Sequence, residues 1–216
     1  MPSIKTKFNP INQLINVIKS TEFNAEICEL SVYAANVKQE RQIVSLIAKF
    51  LTREGYKTIL EQVNPNAESK KTKYDLCLDG INIECKYHFD FDIQIMKTEN
   101  PTIEQYRKVL ETKEKNLSWG IKPVIIKDIF YNKPDVFIWI VVTRDLSNIS
   151  DGEIAAYCYG KEQRRYNKTP IQIEPEINKF LEEVYSEKTF TTETYTIRTN
   201  DKVNSKYDFY ICNFIN

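Results

Sequence analysis

The segment Tyr74-Asp75-Leu76-Cys77-Leu78-Asp79-Gly80-Ile81-Asn82-Ile83-Glu84-Cys85-Lys86-Tyr87 constrains the fold of this chain more than any other. Two stretches of alternating apolar and polar residues flank Asp79-Gly80, a dipeptide suited to a two-residue hairpin turn because both positions tolerate a positive φ. Counting outward from the turn, Leu78 faces Ile81, Cys77 faces Asn82, Leu76 faces Ile83 and Asp75 faces Glu84. Opposed residues point to the same side of a sheet, and Lys86, two beyond Glu84, shares that side. One face of the hairpin is therefore apolar, with Leu76, Leu78, Ile81, Ile83, Cys85 and Tyr87. The other collects Asp75, Glu84 and Lys86.

Two opposed carboxylates repel unless a cation bridges them. A hard divalent cation does so, since Mg²⁺ takes oxygen ligands and needs only one or two protein carboxylates. Lys86 beside them can orient or deprotonate a water, or stabilise charge developing on a phosphate. These parts suit hydrolysis of a phosphodiester. The competing reading is a solvated Asp–Glu–Lys face on a surface strand. Glu-x-Lys also occurs at Glu68-Ser69-Lys70 and Glu111-Thr112-Lys113, but only Glu84-Cys85-Lys86 lies on an apolar-backed strand paired with an Asp-bearing one.

Around the hairpin, Ile11, Leu14, Ile15 and Ile18 predict a helix over 10–19. Val44, Ile47, Ala48 and Leu51 predict a longer one over about 35–54, with Gly55 at its stop. Tyr56 to Val63 reads as a strand, and Pro101 to about Lys115 as a helix with Pro in its first turn. Val136 to Thr143 is β-branched and aromatic, a buried central strand. Glu153 to Tyr159 is expected to be a strand, Glu174 to Glu187 a helix, and Thr189 to Phe214 strands around a polar turn. The expected class is α/β, a mixed sheet flanked by helices within one domain over 1–216.

Composition narrows the chemistry. A hydrophobic fraction of 42% with 28% charged residues argues against intrinsic disorder. Thirty basic against 30 acidic residues leaves room for a local basic groove but not for a histone-like carpet. Five cysteines with no C-x-x-C pair suggest neither a disulfide framework nor a zinc knuckle, and fit a reducing, cytoplasmic setting. His88 is the only histidine, which disfavours Ser-His-Asp and Cys-His catalysis and a His-rich metal cage. The longest apolar run, Val136 to Val142, is too short to cross a membrane. The first residues, MPSIKTKFNPINQL, have no apolar core of a secretory signal.

Helix, strand, Asp75 strand, Glu84-Cys85-Lys86 strand, helix, strand: over about 36–143 this order resembles the PD-(D/E)xK nuclease superfamily, with Tyr74 where many members have Pro. The resemblance implies a restriction-endonuclease-like αβββαβ core; it leaves 144–216 unassigned, as additional strands and a helix that are candidate DNA-recognition elements. It implies Mg²⁺-dependent endonuclease activity on double-stranded DNA, with Mn²⁺ substituting, and no small-molecule cofactor. Asp75, Glu84 and Cys85 are the metal-ligand positions, and Lys86 contacts the attacking water or scissile phosphate. Glu40, one end of the apolar stripe of its helix, matches the acid that many members add, and a first-turn Glu complementing the helix dipole is the alternative. The compact chain suggests a type II restriction enzyme acting as a homodimer on a palindrome. A structure-selective repair nuclease and a non-catalytic nucleic-acid-binding protein are the alternatives.

Two basic stretches are candidate DNA contacts: Lys70, Lys71 and Lys73 before the hairpin, and Lys161, Gln163, Arg164, Arg165 and Asn167 further on. Both read equally well as exposed charged loops. His88, Asp90 and Asp92 are placed near the same cleft, His88 outside the catalytic set. Gln105 and Tyr106 begin a helix whose counterpart in some superfamily members carries a Gln facing the site. Trp119 and Trp139 are read as core or flank residues.

Overall fold

A computed structural model describes residues 9–33, 38–64, 72–99, 102–112, 120–157 and 168–214. Its centre is a six-stranded sheet: β1 (Thr58–Val63), β2 (Lys73–Leu78), β3 (Ile81–Phe89), β4 (Val136–Thr143), β5 (Thr191–Arg198) and β6 (Lys206–Asn213). The spatial order is β1-β2-β3-β4-β6-β5. Only the β3–β4 pair is parallel, so the sheet is mixed, as expected. That parallel pair needs a crossover, which α4 (Asp90–Thr98), α5 (Ile103–Thr112) and α6 (Ile121–Ile126) supply. One turn of π-helix, Lys127–Tyr131, follows α6 directly.

The sheet carries a core on each face. On one, α1 (Pro10–Lys19), α2 (Thr21–Tyr33) and α3 (Glu40–Arg53) pack on Leu76, Leu78, Ile83, Cys85, Tyr87, Ile138 and Ile140. On the other, α4 to α6 and α7 (Glu174–Glu187) cover Phe137, Trp139, Val141 and Tyr210. Every residue of β4 is buried, which explains its unbroken apolar run: a strand covered on both faces has no polar side.

Some expected elements differ. The helix expected from about 35 starts at Glu40, and the strand expected from Tyr56 at Thr58. In place of a strand over Glu153–Tyr159, the described residues form turns and a short 3₁₀ helix, Ile154–Ala156. Ile154 and Tyr157 instead pack on a small cluster of Leu146, Ile149 and Val203. Trp139 is core, with both its ring and its N–H engaged, while Trp119 lies outside the described residues. Among the described residues no helix is long and apolar enough to cross a membrane.

Candidate active site

The hairpin turns where the sequence places it. Asp79 (φ 46°) and Gly80 (φ 93°) both take the left-handed conformation that a type I′ turn requires. The main chain of Asp79 donates to Lys57 O, and its Oδ1 accepts from Lys57 N at 2.8 Å, tying the turn to the start of β1. Leu78 pairs with Ile81, Cys77 with Asn82 and Leu76 with Ile83.

The β2–β3 pairing then stops one step short of the expected Asp75–Glu84 pair. Instead, Asp75 Oδ2 accepts from Cys85 N at 2.7 Å, and two residues on, Glu40 Oε2 accepts from Tyr87 N at 2.9 Å. Two carboxylates thus occupy positions along the edge of β3 where ladder partners would otherwise stand. Glu40 is the first residue of α3, so it complements the helix dipole and reaches the site; the two readings of it are compatible. On the other side of β2, the ladder to β1 runs through Leu60–Leu76 and Gln62–Tyr74 but skips Glu61, which lies opposite Asp75 with φ 53°. A left-handed glutamate within a strand is a local strain beside the site.

Glu84 and Lys86 project to the second face, where Glu84 is buried and Lys86 partly exposed. Glu84 is 4% exposed, which removes the reading of a surface strand face. The roof is the π-turn. Lys86 Nζ lies 3.3 Å from Glu84 Oε1 and 3.2 Å from Asp128 Oδ2. Asp128 Oδ1 accepts from Asn132 Nδ2 at 3.0 Å. Asn132 O in turn accepts from Tyr74 Oη at 2.8 Å and from Asn64 Nδ2 at 3.1 Å. Tyr74 therefore locks the π-turn to β2.

Four carboxylates, Glu40, Asp75, Glu84 and Asp128, surround one ammonium. Burial pushes the Glu84 carboxyl up to about 8; Lys86 opposes this, while Asp128 and Asp75 add to it. Glu40 and Asp128 are raised for the same first reason, burial, against the pull of Lys86. For Lys86 burial acts downward, but Asp128, Glu40, Glu84 and Asp75 outweigh it and hold the ammonium firmly charged. Its acidic neighbours thus favour the charged form of Lys86.

Asp75 and Glu84 are the candidate holders of a divalent cation. Glu84 Oε2 is buried with no hydrogen-bond partner, an arrangement costly for an ionised carboxylate unless a cation meets it. Among the described residues no group of three or more His, Cys, Asp or Glu side chains is arranged to hold a metal ion. Two carboxylates completed by main chain and water suit Mg²⁺. The thiol of Cys85 does not belong to that set: it lies in the core on the α3 side, fully buried, and burial keeps it protonated. As a ligand Cys85 has only its main-chain carbonyl to offer.

No family model, curated protein or solved structure matches this chain.

A groove of about 600 Å³ opens beside Asp75 and Glu40, between α3 and the β1–β2 edge. Arg41 and Lys73 line it, with Glu61 ion-paired to Lys73 at 2.9 Å. The other expected DNA contacts, Lys70, Lys71, Lys161, Gln163, Arg164, Arg165 and Asn167, lie outside the described residues. His88 is buried, accepting at Nδ1 from Trp139 Nε1 at 3.0 Å, and burial pushes its pKa down to about 3. It is a neutral core residue. Asp90 and Asp92 serve the start of α4: Asp90 Oδ1 accepts from Phe91 N and Asp92 Oδ2 from Phe89 N. Gln105 Oε1 accepts from Thr102 N at the start of α5, and Tyr106 is core. Asp128 and Asn132 are the residues that sequence reasoning did not single out.

Proposed function

We propose that this chain is a Mg²⁺-dependent DNA endonuclease with a restriction-endonuclease-like core, α3-β1-β2-β3-(α4, α5, α6)-β4. The observation that carries this reading is the gathering of Asp75, Glu84 and Lys86, joined by Glu40, at the point where β2 and β3 stop pairing. Asp75 and Glu84 would hold the cation, with the Cys85 carbonyl beside them. A divalent ion held there would supply a Lewis acid for a phosphoryl oxygen and would lower the pKa of bound water.

The chain supplies the remainder. The Lys86 ammonium offers positive charge and hydrogen-bond donors to the water or to the phosphate as its charge grows. Arg41 and Lys73 give the adjoining groove cationic side chains for a DNA backbone, with phosphate competing against Glu61 for Lys73. Of the roles open to such a nuclease, we favour sequence-specific type II restriction by a homodimer, with one site for each strand.

Supercoiled plasmid incubated with Mg²⁺, with Mn²⁺ or with EDTA tests the proposal. Discrete, metal-dependent fragments are expected. Asp75→Asn and Lys86→Ala should each abolish them while the far-ultraviolet circular dichroism stays that of the wild type. Cutting confined to junctions or flaps would point to a repair nuclease. Salt-sensitive DNA binding with no cutting in any metal would refute catalysis.

A further inference from the structure

Lys86 is held from two sides, and only one of them belongs to the hairpin. Glu84 reaches it from two residues away on the same strand, at 3.3 Å. The other partner, Asp128 at 3.2 Å, comes from the π-turn between α6 and β4. The turn is widened by a main-chain bond from Asn132 N to Lys127 O at 3.1 Å, five residues back. Such single-turn insertions recur at functional sites because they re-aim side chains that a regular helix would place elsewhere. Asp128 is itself fixed, 6% exposed and bonded through Oδ1 to Asn132. The main chain of Asn132 is fixed in turn by Tyr74, the β2 neighbour of Asp75, and by Asn64, which directly follows β1.

We infer that Asp128 is a positioning residue for the Lys86 ammonium, and that Asn132 anchors it through the π-turn. This deepens the nuclease reading and rests on it for its catalytic consequence. A lysine side chain has four flexible carbon–carbon bonds and a strongly hydrated head, so one partner does not fix it. Two carboxylates on separate elements define the position of its nitrogen. The second is bolted to β2 next to Asp75, so that the ammonium and the metal-site carboxylate share one frame. Asp128 is not expected to touch substrate, and its removal leaves DNA binding intact while misplacing the charge that the reaction needs. A displacement of about 1 Å at such a group lowers turnover by up to about 10²-fold.

The test compares wild type, Asp128→Ala, Asp128→Asn, Asn132→Ala and the double variant Asp128→Ala/Asn132→Ala, all in the full chain. Steady-state cleavage of duplex DNA with Mg²⁺ is measured beside NMR relaxation at the Lys86 Cε and Nζ. Asp128→Ala should lower kcat about 10–100-fold with KM changed less than about twofold. Asp128→Asn, which keeps an oxygen for the ammonium and the shape of the buried site, should recover part of the loss. Asn132→Ala should lose less, and the double variant should be no slower than Asp128→Ala, because Asn132 acts through Asp128. The Lys86 signals should become mobile in Asp128→Ala. A merely structural role predicts lowered melting temperature, additive losses and an unchanged Lys86, and that result overturns the inference. Wild-type protein that cuts no DNA overturns the nuclease reading and, with it, the catalytic role of Asp128. Lys86 dynamics unaffected by Asp128→Ala overturn the clamp itself, whether or not DNA is cut.

Discussion

Replacing Glu84 with Gln should stabilise the metal-free protein, and by more as the pH rises. Glu84 ionises near its ordinary 4.5 when the chain is unfolded but near 8 in the folded protein, because burial opposes its charge. A carboxyl raised on folding penalises the folded state only where the unfolded chain has lost the proton. The penalty is therefore absent below pH 4.5, grows as the pH rises and levels off above 8. At about 1.4 kcal/mol per pH decade, it comes to about 1 kcal/mol at pH 5.5, about 3 at pH 7 and somewhat under 5 at pH 8.5. These are upper bounds, since Lys86 and the other carboxylates adjust when Glu84 ionises. Gln is neutral throughout, so any packing cost of the substitution is the same at each pH, and the slope carries the test. Urea unfolding of both proteins in EDTA at pH 5.5, 7 and 8.5 should show the variant gaining about 2–3 kcal/mol on wild type across the range. A difference that is flat, or that falls with pH, would mean that Glu84 is ionised at no cost in the empty site. The case for a cation there would lose its electrostatic basis.

Mg²⁺ should then stabilise wild type and leave Glu84→Gln nearly unmoved in thermal melts, by about 2.7 kcal/mol for wild type at a hundred times the dissociation constant. His88 should act in the opposite sense to Glu84: its pKa falls from an ordinary 6.5 to about 3 on folding, so stability is full above 6.5 and drains as the pH drops towards 3. His88→Gln should flatten that acid limb by up to about 2 kcal/mol at pH 5 in the same urea assay, and an unchanged limb would show that the imidazole is not kept neutral. Gly80→Val should cost about 1–2 kcal/mol in chemical denaturation, because φ 93° is strained for a β-branched residue. Ile140→Ala, in the strand covered on both faces, should cost about 2–5 kcal/mol.

Legibility in the sequence followed how local the causes are. The turn at Asp79-Gly80, the two faces of the hairpin and the buried β4 are dictated by neighbours in the chain. So is α7, whose Pro175 near the first turn and Ile177, Phe180 and Val184 on one face mark its full extent. Helix α2 was not legible: only Phe23, Ile27 and Ser31 are buried, too few to show a stripe. The start of α4 was hidden because Asp90 and Asp92, which accept from main-chain N–H groups there, read equally well as cleft acids. At the site, Asp75, Glu84, Lys86 and Glu40 were within reach because strand period and helix spacing aim them. Asp128 was not. Its direction comes from a π-turn, and neither a periodicity of 3.6 nor one of 2 predicts where such a turn points a side chain.

The same geometry explains why the acids sit where they do. Beyond Leu76–Ile83 the β2–β3 ladder ends, so the main-chain N–H groups of Cys85 and Tyr87 need other acceptors. Asp75 and Glu40 provide them, and each bond also aims a carboxylate at the space that β2 vacates. A site of this kind uses an opened sheet: with the ladder continued, Asp75 would stand beside Glu84 with its side chain on one face of the sheet, and its carboxylate could not accept from Cys85 N. In the proposed nuclease the acids are thus structural and metal-binding at once. Truncating Asp75 or Glu40 to Ala removes an acceptor as well as a charge, and activity lost in that way says little about chemistry. The amides Asp75→Asn and Glu40→Gln keep an oxygen for Cys85 N and Tyr87 N, so a loss of cleavage in them reports on charge at the proposed metal position.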